Sequence, residues 1–439
     1  MSDAVQTPDG AIDYSDMGRR IKAILIGSVG NLVEWYDFYA YSAFALYFAG
    51  SFFPKSDPVA EQLSAAAVFA IGFIMRPIGG WLFGYLADHY GRKNALTFSV
   101  LLMCFGSLVI AATPTYATIG IAAPTILVLA RMLQGLSLGG EYGASATYLS
   151  EMADPKRRGF YSSFQYVTLI GGQLTAIIVL LVLQKLLLTP DQLKSWGWRV
   201  PFFIGAVLAV IAYVMRSNMH ETEHFEAAKS VAKKTSSLRA LLQHPKEVLL
   251  VIGLTMGGTT AFYTYTTTMQ KILKLQVKLT DDQTTAVVFG SLVFATFLQP
   301  IYGAISDRIG RRPLLMMFGI LGTLCTVPLL TWLQSTKDPW TAFLIVCLAW
   351  LIVAGYTSIN AVVKAELFPT NIRAMGVGLP YAVTVATFGG TADWVALKMQ
   401  DIGHADWYYW YLTAVIFLSF LVYASMRDTK KDSAMERHA

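Results

Sequence analysis

The residues that could do chemistry lie where charge is most expensive, inside long apolar runs. Asn31, Glu34 and Asp37 recur at three-residue steps in the first run and share one helical face with Tyr41. A carboxylate in a membrane span must face protein or water rather than lipid, which marks it as a functional candidate. Two readings stand for Asp37 and Glu34: a proton carrier, or a polar bond to a neighbouring helix. Arg131 lies in a later run and needs an anion nearby. Behind it Gly135, Gly139 and Gly143 follow at i+4 steps, most simply a surface for close helix packing. Arg76 precedes Asp88 by a stretch that rises about 18 Å as a helix, which puts it near the membrane midplane. Gly72, Gly80 and Gly84 share its stripe, so this face meets protein or a cavity. A guanidinium there suits a carboxylate ligand through two parallel hydrogen bonds. The competing reading gives Arg76 a structural partner such as Glu34.

The second half supplies polar faces rather than buried acids. Thr260, Tyr263, Thr267 and Gln270 fall on one face of an apolar run, as do Tyr356, Asn360 and Lys364 further on. Gln165, Thr168 and Gly172, and then Tyr381, Thr384, Phe388 and Thr391, form similar stripes. Such faces are expected to line a wet cavity. Lys364 could add a second positive charge for a dianion, or, two residues before Glu366, serve a gate or bind a lipid headgroup. Asp393 and Glu141 are further acids in apolar runs, and Arg199 lies just inside the start of a run, where it can snorkel outward. His89 beside Asp88 is expected to be a solvated loop histidine rather than a proton relay. No metal-ligand set, P-loop or G-x-S-x-G is present, so metal, nucleotide and hydrolase chemistry find no support and no cofactor is expected.

These residues require helices long enough to cross a bilayer. The 439-residue chain is 55% hydrophobic and 14% charged, with a mean hydropathy of +0.49. Soluble domains carry about 25% charged residues. Continuous runs of about 20 apolar residues recur throughout, the mark of transmembrane helices; barrel strands would alternate over about 10 residues. Twelve spans are predicted, six on each side of one long polar stretch. The expected organisation is an N-terminal tail over 1–20, a six-helix bundle over 21–215, a linker over 216–246, a second bundle over 247–427 and a tail over 428–439. The net charge of +6 reflects Lys and Arg concentrated in loops on one side, so no nucleic-acid partner is expected. The same asymmetry places both termini in the cytoplasm. Cys104, Cys325 and Cys347 all sit within apolar runs as small packing residues.

Two repeated motifs tie the halves together. Gly84-Tyr-Leu-Ala-Asp88-His-Tyr-Gly91-Arg92-Lys93 returns as Gly303-Ala-Ile-Ser-Asp307-Arg-Ile-Gly310-Arg311-Arg312. Glu151 and Arg158, seven apart, return as Glu366 and Arg373. Gly91 and Gly310 allow the positive φ that tight turns need. With the six-plus-six layout, these motifs resemble the major facilitator superfamily. The stretches beginning Gly30-Asn-Leu-Val-Glu-Trp-Tyr-Asp37, Met75-Arg-Pro-Ile-Gly-Gly80 and Gln134-Gly-Leu-Ser-Leu-Gly-Gly-Glu-Tyr-Gly143 are similar to its metabolite:proton symporter branch, whose members carry shikimate, citrate, proline, betaine or dicarboxylates. Ser163-Phe-Gln-Tyr-Val-Thr, Trp196-Gly-Trp-Arg199-Val-Pro and Lys364-Ala-Glu-Leu-Phe-Pro resemble most the branch's bacterial α-ketoglutarate permeases.

The resemblance implies an all-α polytopic membrane protein with twelve transmembrane helices in two pseudo-symmetric six-helix bundles, in the bacterial inner membrane. It implies proton-coupled uptake of a small dicarboxylate, 2-oxoglutarate foremost, by alternating access of a monomer with no cofactor and no enzyme activity. Other organic acids or zwitterions, and a non-transporting receptor, are the alternatives. In sugar-carrying relatives an Asp of a Tyr-Asp pair meets an Arg of span four, a pattern matched by Tyr36-Asp37 and Arg131. Burial favours the neutral acid and the guanidinium favours the carboxylate, so small movements could load or release a proton. The site expected here comprises Asp37, Glu34 and Arg131 for coupling, with Arg76, Gln165, Tyr263, Thr267, Gln270, Asn360, Tyr381 and Tyr41 for substrate. Asp88, Arg92, Glu151 and Arg158, and Asp307, Arg311, Glu366 and Arg373, are expected to form charge clusters at the cytoplasmic ends of their own bundles, holding the outward-open state.

Overall fold

Twelve helical spans follow one another in the computed structural model, which describes residues 14–53, 58–90, 92–153, 155–217, 238–369 and 372–435. All regular structure among the described residues is helical. The first half runs Tyr14–Phe52, Pro58–Tyr90, Arg92–Ala112, then Ala122–Gly139 continued as Glu141–Met152, Arg158–Val182, and Val200–Ser217. These are spans one to six. The second half begins with Pro245–Tyr263, prolonged to Gln276, and continues with Asp281–Ile309 and Arg312–Ser335. Pro339–Thr357 with Asn360–Leu367, Arg373–Thr384 prolonged by Ala392–Asp401, and Ala405–Ser425 complete spans seven to twelve. Among the described residues, nine helical segments are long and apolar enough to cross a membrane. The two halves form the six-helix bundles of a polytopic membrane protein. Most of the expected tail over 1–20 and of the linker over 216–246 lies outside the described residues.

Local sequence explains where the spans begin, end and bend. Thr280 and Gln283 form a reciprocal capping box at the start of span eight. Asp338 caps span ten by accepting from the Thr341 amide at 2.8 Å. Gly310 ends span eight at φ 101°, a conformation that favours glycine, as the motif predicts; Gly91 lies outside the described residues. Span seven contains two π-helical turns, Thr264–Thr268 and Ile272–Gln276, and span eleven contains one, Val385–Gly389. Each slips the register of the side chains beyond it, and such turns gather at functional sites. Span ten breaks at Ser358–Ile359 before its last helical segment, which begins at Asn360.

Within the first bundle, spans two and four meet through backbones brought close by small residues. A methyl group on Gly135 would lie 1.9 Å from the Gly72 carbonyl oxygen, and one on Gly139 would lie 2.0 Å from that of Arg76. The glycine stripe behind Arg131 is therefore a contact between spans two and four.

Candidate functional site

Asp37 is completely buried. Ser107 donates its hydroxyl to the carboxylate, and Gln134 Nε2 donates to Oδ2 at 3.1 Å. Arg131 forms no ion pair with it. Its Nη1 instead donates to Gln134 Oε1 at 2.7 Å, so the expected direct pair is a relay with Gln134 between acid and base. The cause is local: Gln134 sits three residues after Arg131 on the same face. The guanidinium lies over the rings of Phe38 and Tyr41, 4.3 and 4.4 Å from their centroids. Gln134 was not singled out as a site residue in the sequence, although a buried acid demands donors and the i+3 spacing was available. Tyr36 donates to the Pro201 carbonyl at 2.8 Å. Tyr41 donates to the Ala65 carbonyl at 2.9 Å, so its hydroxyl is spent on the fold and its ring serves Arg131. Glu34 is buried on the same helix, and Asn31 binds Thr168 at 2.8 Å.

Arg76 is buried and makes no ion pair; its expected structural partner Glu34 does not form one with it. Its Nε and Nη2 have no hydrogen-bond acceptor. The guanidinium carbon lies 3.8, 4.5 and 5.0 Å from the ring centroids of Phe73, Phe38 and Trp35. Tyr39 and Tyr263 stand close to the guanidinium and to each other, with neither hydroxyl at hydrogen-bond geometry. Tyr263 belongs to the second half, and its ring meets Phe73 edge-on at 5.0 Å. The site therefore spans the boundary between the bundles.

From the second half come Tyr263, Tyr356, Asn360, Lys364 and Tyr381, all buried. Tyr142 of span four stacks on Tyr381 at 3.6 Å between centroids and donates to Asn360 Oδ1 at 3.0 Å. Lys364 donates to that oxygen at 2.7 Å. Gln165 is buried on the neighbouring span five. The threonine stripe of span seven behaves otherwise than its polarity implied. Thr260, Thr264, Thr266 and Thr267 each donate to the carbonyl four residues earlier. Their hydroxyls are satisfied by their own helix, and the π-helical turn breaks the single face. Gln270 donates to the Ala43 carbonyl at 3.1 Å and links the two bundles directly.

Other charges resolve differently from their sequence readings. Lys271, near the end of span seven, is buried and paired with Asp393 at 2.5 Å, which accounts for one of the acids found in apolar runs. Arg199 does not snorkel; it donates to the Ala111 and Thr113 carbonyls at 2.6 and 2.7 Å, capping the end of span three.

At the end bearing the Gly303–Arg312 turn, Asp307 accepts from Arg311 at 2.8 Å and Arg311 reaches Glu366 at 3.3 Å, as a cluster within the second half. That carboxylate pair outweighs burial and holds the Arg311 guanidinium above its ordinary pKa, burial being the largest effect and opposed to it. The cluster also crosses to the first half. Asp307 accepts from the Gly159 and Phe160 amides, both at 2.8 Å, at the start of span five. Arg158 approaches Glu366 at 4.0 Å, joining the other half's cluster. Arg373 donates to the Phe368 carbonyl at 3.1 Å. The side chains of Asp88, Arg92 and Glu151 lie outside the described residues. The C-terminal segment, which gave no functional signal in the sequence, seals the cluster: Asp428 accepts from the Arg311 amide at 3.0 Å and Thr429 donates to Glu366 Oε2 at 2.6 Å.

The chain matches the family described as "Sugar (and other) transporter" over residues 23–243 and again over 222–439. It is 49% identical over 422 residues to the alpha-ketoglutarate permease of Escherichia coli (strain K12), covering 96% of this chain and 97% of that one. A citrate-proton symporter of Klebsiella pneumoniae is 34% identical over 85% of this chain and 84% of its own. The proline/betaine transporter of Salmonella typhimurium (strain LT2) is 30% identical over 96% of this chain and 86% of its own. Among solved structures, the major facilitator proton:xylose symporter XylE bound to 6-bromo-6-deoxy-D-glucose superposes with a TM-score of 0.77 at 16% identity, over 95% of this chain and 98% of that one. That likeness establishes the fold, and the relatives named here are transporters rather than enzymes. A twelve-span, two-bundle chain with these sequence relatives belongs to the sugar (and other) transporter family of the major facilitator superfamily.

Proposed function

We propose that this transporter is a proton-coupled symporter that takes up a small dicarboxylate, 2-oxoglutarate foremost, across the bacterial inner membrane. The observation that carries the reading is Arg76: a buried guanidinium on the bundle boundary, surrounded by rings and lacking any acid. A buried cation left unpaired is costly, and a carboxylate ligand offsets that cost while forming two charge-assisted hydrogen bonds. The name of the 49% identical relative points to the same substrate. Asp37 carries the coupled proton, and the Gln134 relay lets Arg131 sense its charge. The basic loops place the Gly303–Arg312 turn and both termini in the cytoplasm. The monomer in a lipid bilayer is the working unit, driven by the proton gradient without a cofactor. Since 100 mV is worth about 2.3 kcal/mol per charge, a dianion gains from the potential only when more than two protons accompany it.

The test is uptake of radiolabelled 2-oxoglutarate into proteoliposomes under an imposed pH gradient, competed with succinate, citrate, shikimate and betaine. Accumulation is expected, with dicarboxylates competing best. Arg76→Gln is expected to abolish binding. Asp37→Asn should lose uphill accumulation but retain substrate exchange; intact proton coupling in that variant overturns the assignment of Asp37. The named citrate and betaine relatives make another acid or a zwitterion the competing reading, and preferential competition by citrate or betaine would favour it.

A further inference from the structure

We propose that Lys364, with Asn360 and the stacked Tyr142–Tyr381 pair, forms a second carboxylate subsite in the other half of the molecule, so that the substrate is a dianion bridging the two bundles. The inference rests on the reading of the chain as a dicarboxylate carrier and adds what its site selects.

Lys364 has no exposed surface and no ion pair. An ammonium group carries three donors. One is spent on Asn360 Oδ1 at 2.7 Å. That oxygen is shared with the Tyr142 hydroxyl at 3.0 Å, which fixes the amide and turns the lysine head toward the tyrosine rings. The ammonium nitrogen stands 4.0 Å from the Tyr381 ring centroid and 5.4 Å from that of Tyr142. Aromatic faces and a neutral amide soften the burial of the charge but do not neutralise it. The break at Ser358–Ile359 sets Asn360 at the start of a new helical segment, with Lys364 one turn further on the same face.

The two unneutralised cations are connected. Tyr381, beneath Lys364, is within electrostatic reach of Arg76 and of Tyr263 and Tyr356. The hydroxyls of Tyr263 and Tyr356 are buried without hydrogen-bond partners. A polar path of tyrosines thus runs from Arg76 on span two to Lys364 on span ten. A ligand with one carboxylate at each end satisfies both cations and can accept hydrogen bonds in between. A ligand with one carboxylate satisfies Arg76 alone and leaves Lys364 unneutralised. Lys364 is also two residues before Glu366, which meets Arg158 and Arg311, so engagement of the second carboxylate acts next to the bundle-to-bundle lock.

The experiment measures exchange and ligand-induced thermal stabilisation of the purified full chain with 2-oxoglutarate and with 2-oxovalerate, its single-carboxylate analogue. The wild type is expected to prefer the dianion by about 30-fold, the worth of one charge-assisted contact. Lys364→Gln should lose that preference, binding 2-oxoglutarate about 30-fold more weakly and 2-oxovalerate within about threefold of wild type. Lys364→Arg should keep part of the preference. Equal weakening of both ligands, or unchanged discrimination, overturns the subsite while leaving the carrier reading intact. A folded wild type that recognises no dicarboxylate overturns both. Retained 2-oxovalerate binding by Lys364→Gln shows that the variant is folded; if Lys364→Gln fails to fold, Lys364→Met takes its place and is read by the same outcomes, lost discrimination supporting the subsite and unchanged discrimination overturning it.

Discussion

The two ends of the bundle boundary are closed by different physics. At the end of the Gly303–Arg312 turn the lock is buried: the side chains of Arg158 and Glu366 are 8% and 1% exposed, and Asp307 accepts two amides at the start of span five. A carboxylate at a helix N-terminus gains from both the orphan amides and the helix dipole. At the other end Lys185 pairs with Asp282, and Gln184 donates to the same carboxylate at 2.5 Å, with the charged side chains 48% and 51% exposed. Water already solvates those charges, so the pair adds little. The difference teaches that the charged contacts at one end form a buried network, whereas the ion pair at the other adds little to the buried Gln270–Ala43 hydrogen bond across the same boundary.

The comparison can be broken hardest at Asp307. Asp307→Asn removes the charge that two amides and Arg311 depend on, and is expected to destabilise closure of that end by about 3–5 kcal/mol. A Ser163→Cys reporter, buried on span five against Gly303, should then react far faster with a membrane-impermeant maleimide. Unchanged labelling would mean that apolar contacts, not Asp307, hold the end shut. Thr429→Val is the next step down. It deletes one hydrogen bond to the buried Glu366 carboxylate and should weaken closure by about 1.5–3 kcal/mol in the same assay. Lys185→Gln at the opposite end should cost under about 1 kcal/mol, and that effect should fade as salt rises. A larger loss there, resistant to salt, would erase the asymmetry.

The spans and their pairing into halves were legible because apolar runs have a length set by the bilayer and because two motifs repeat. Asp37, Arg131 and Arg76 were legible too, since a charge in an apolar run has few excuses. What stayed hidden were the links between them. Gln134 sits in a glycine-rich run that reads as packing. The stripe of span seven reads as one wet face only if the helix keeps its period, and the π-helical turn at Thr264–Thr268 does not. The partner of Asp393 stayed hidden because Lys271 is distant from it in sequence. The C-terminal segment is mostly polar, which elsewhere means solvent, so nothing in it announced a contact with Glu366.

The close approach of spans two and four has a mechanical consequence. With Gly135 against the Gly72 carbonyl and Gly139 against that of Arg76, no slack remains for either helix to slide along the other. Arg76 and Arg131 are thus carried on a single stiff beam, and their separation is a constant of the cycle. Span one meets that beam through the Asp37 carboxylate, which accepts from Gln134 of span four at 3.1 Å, so any movement of span one against the beam is felt first at that hydrogen bond.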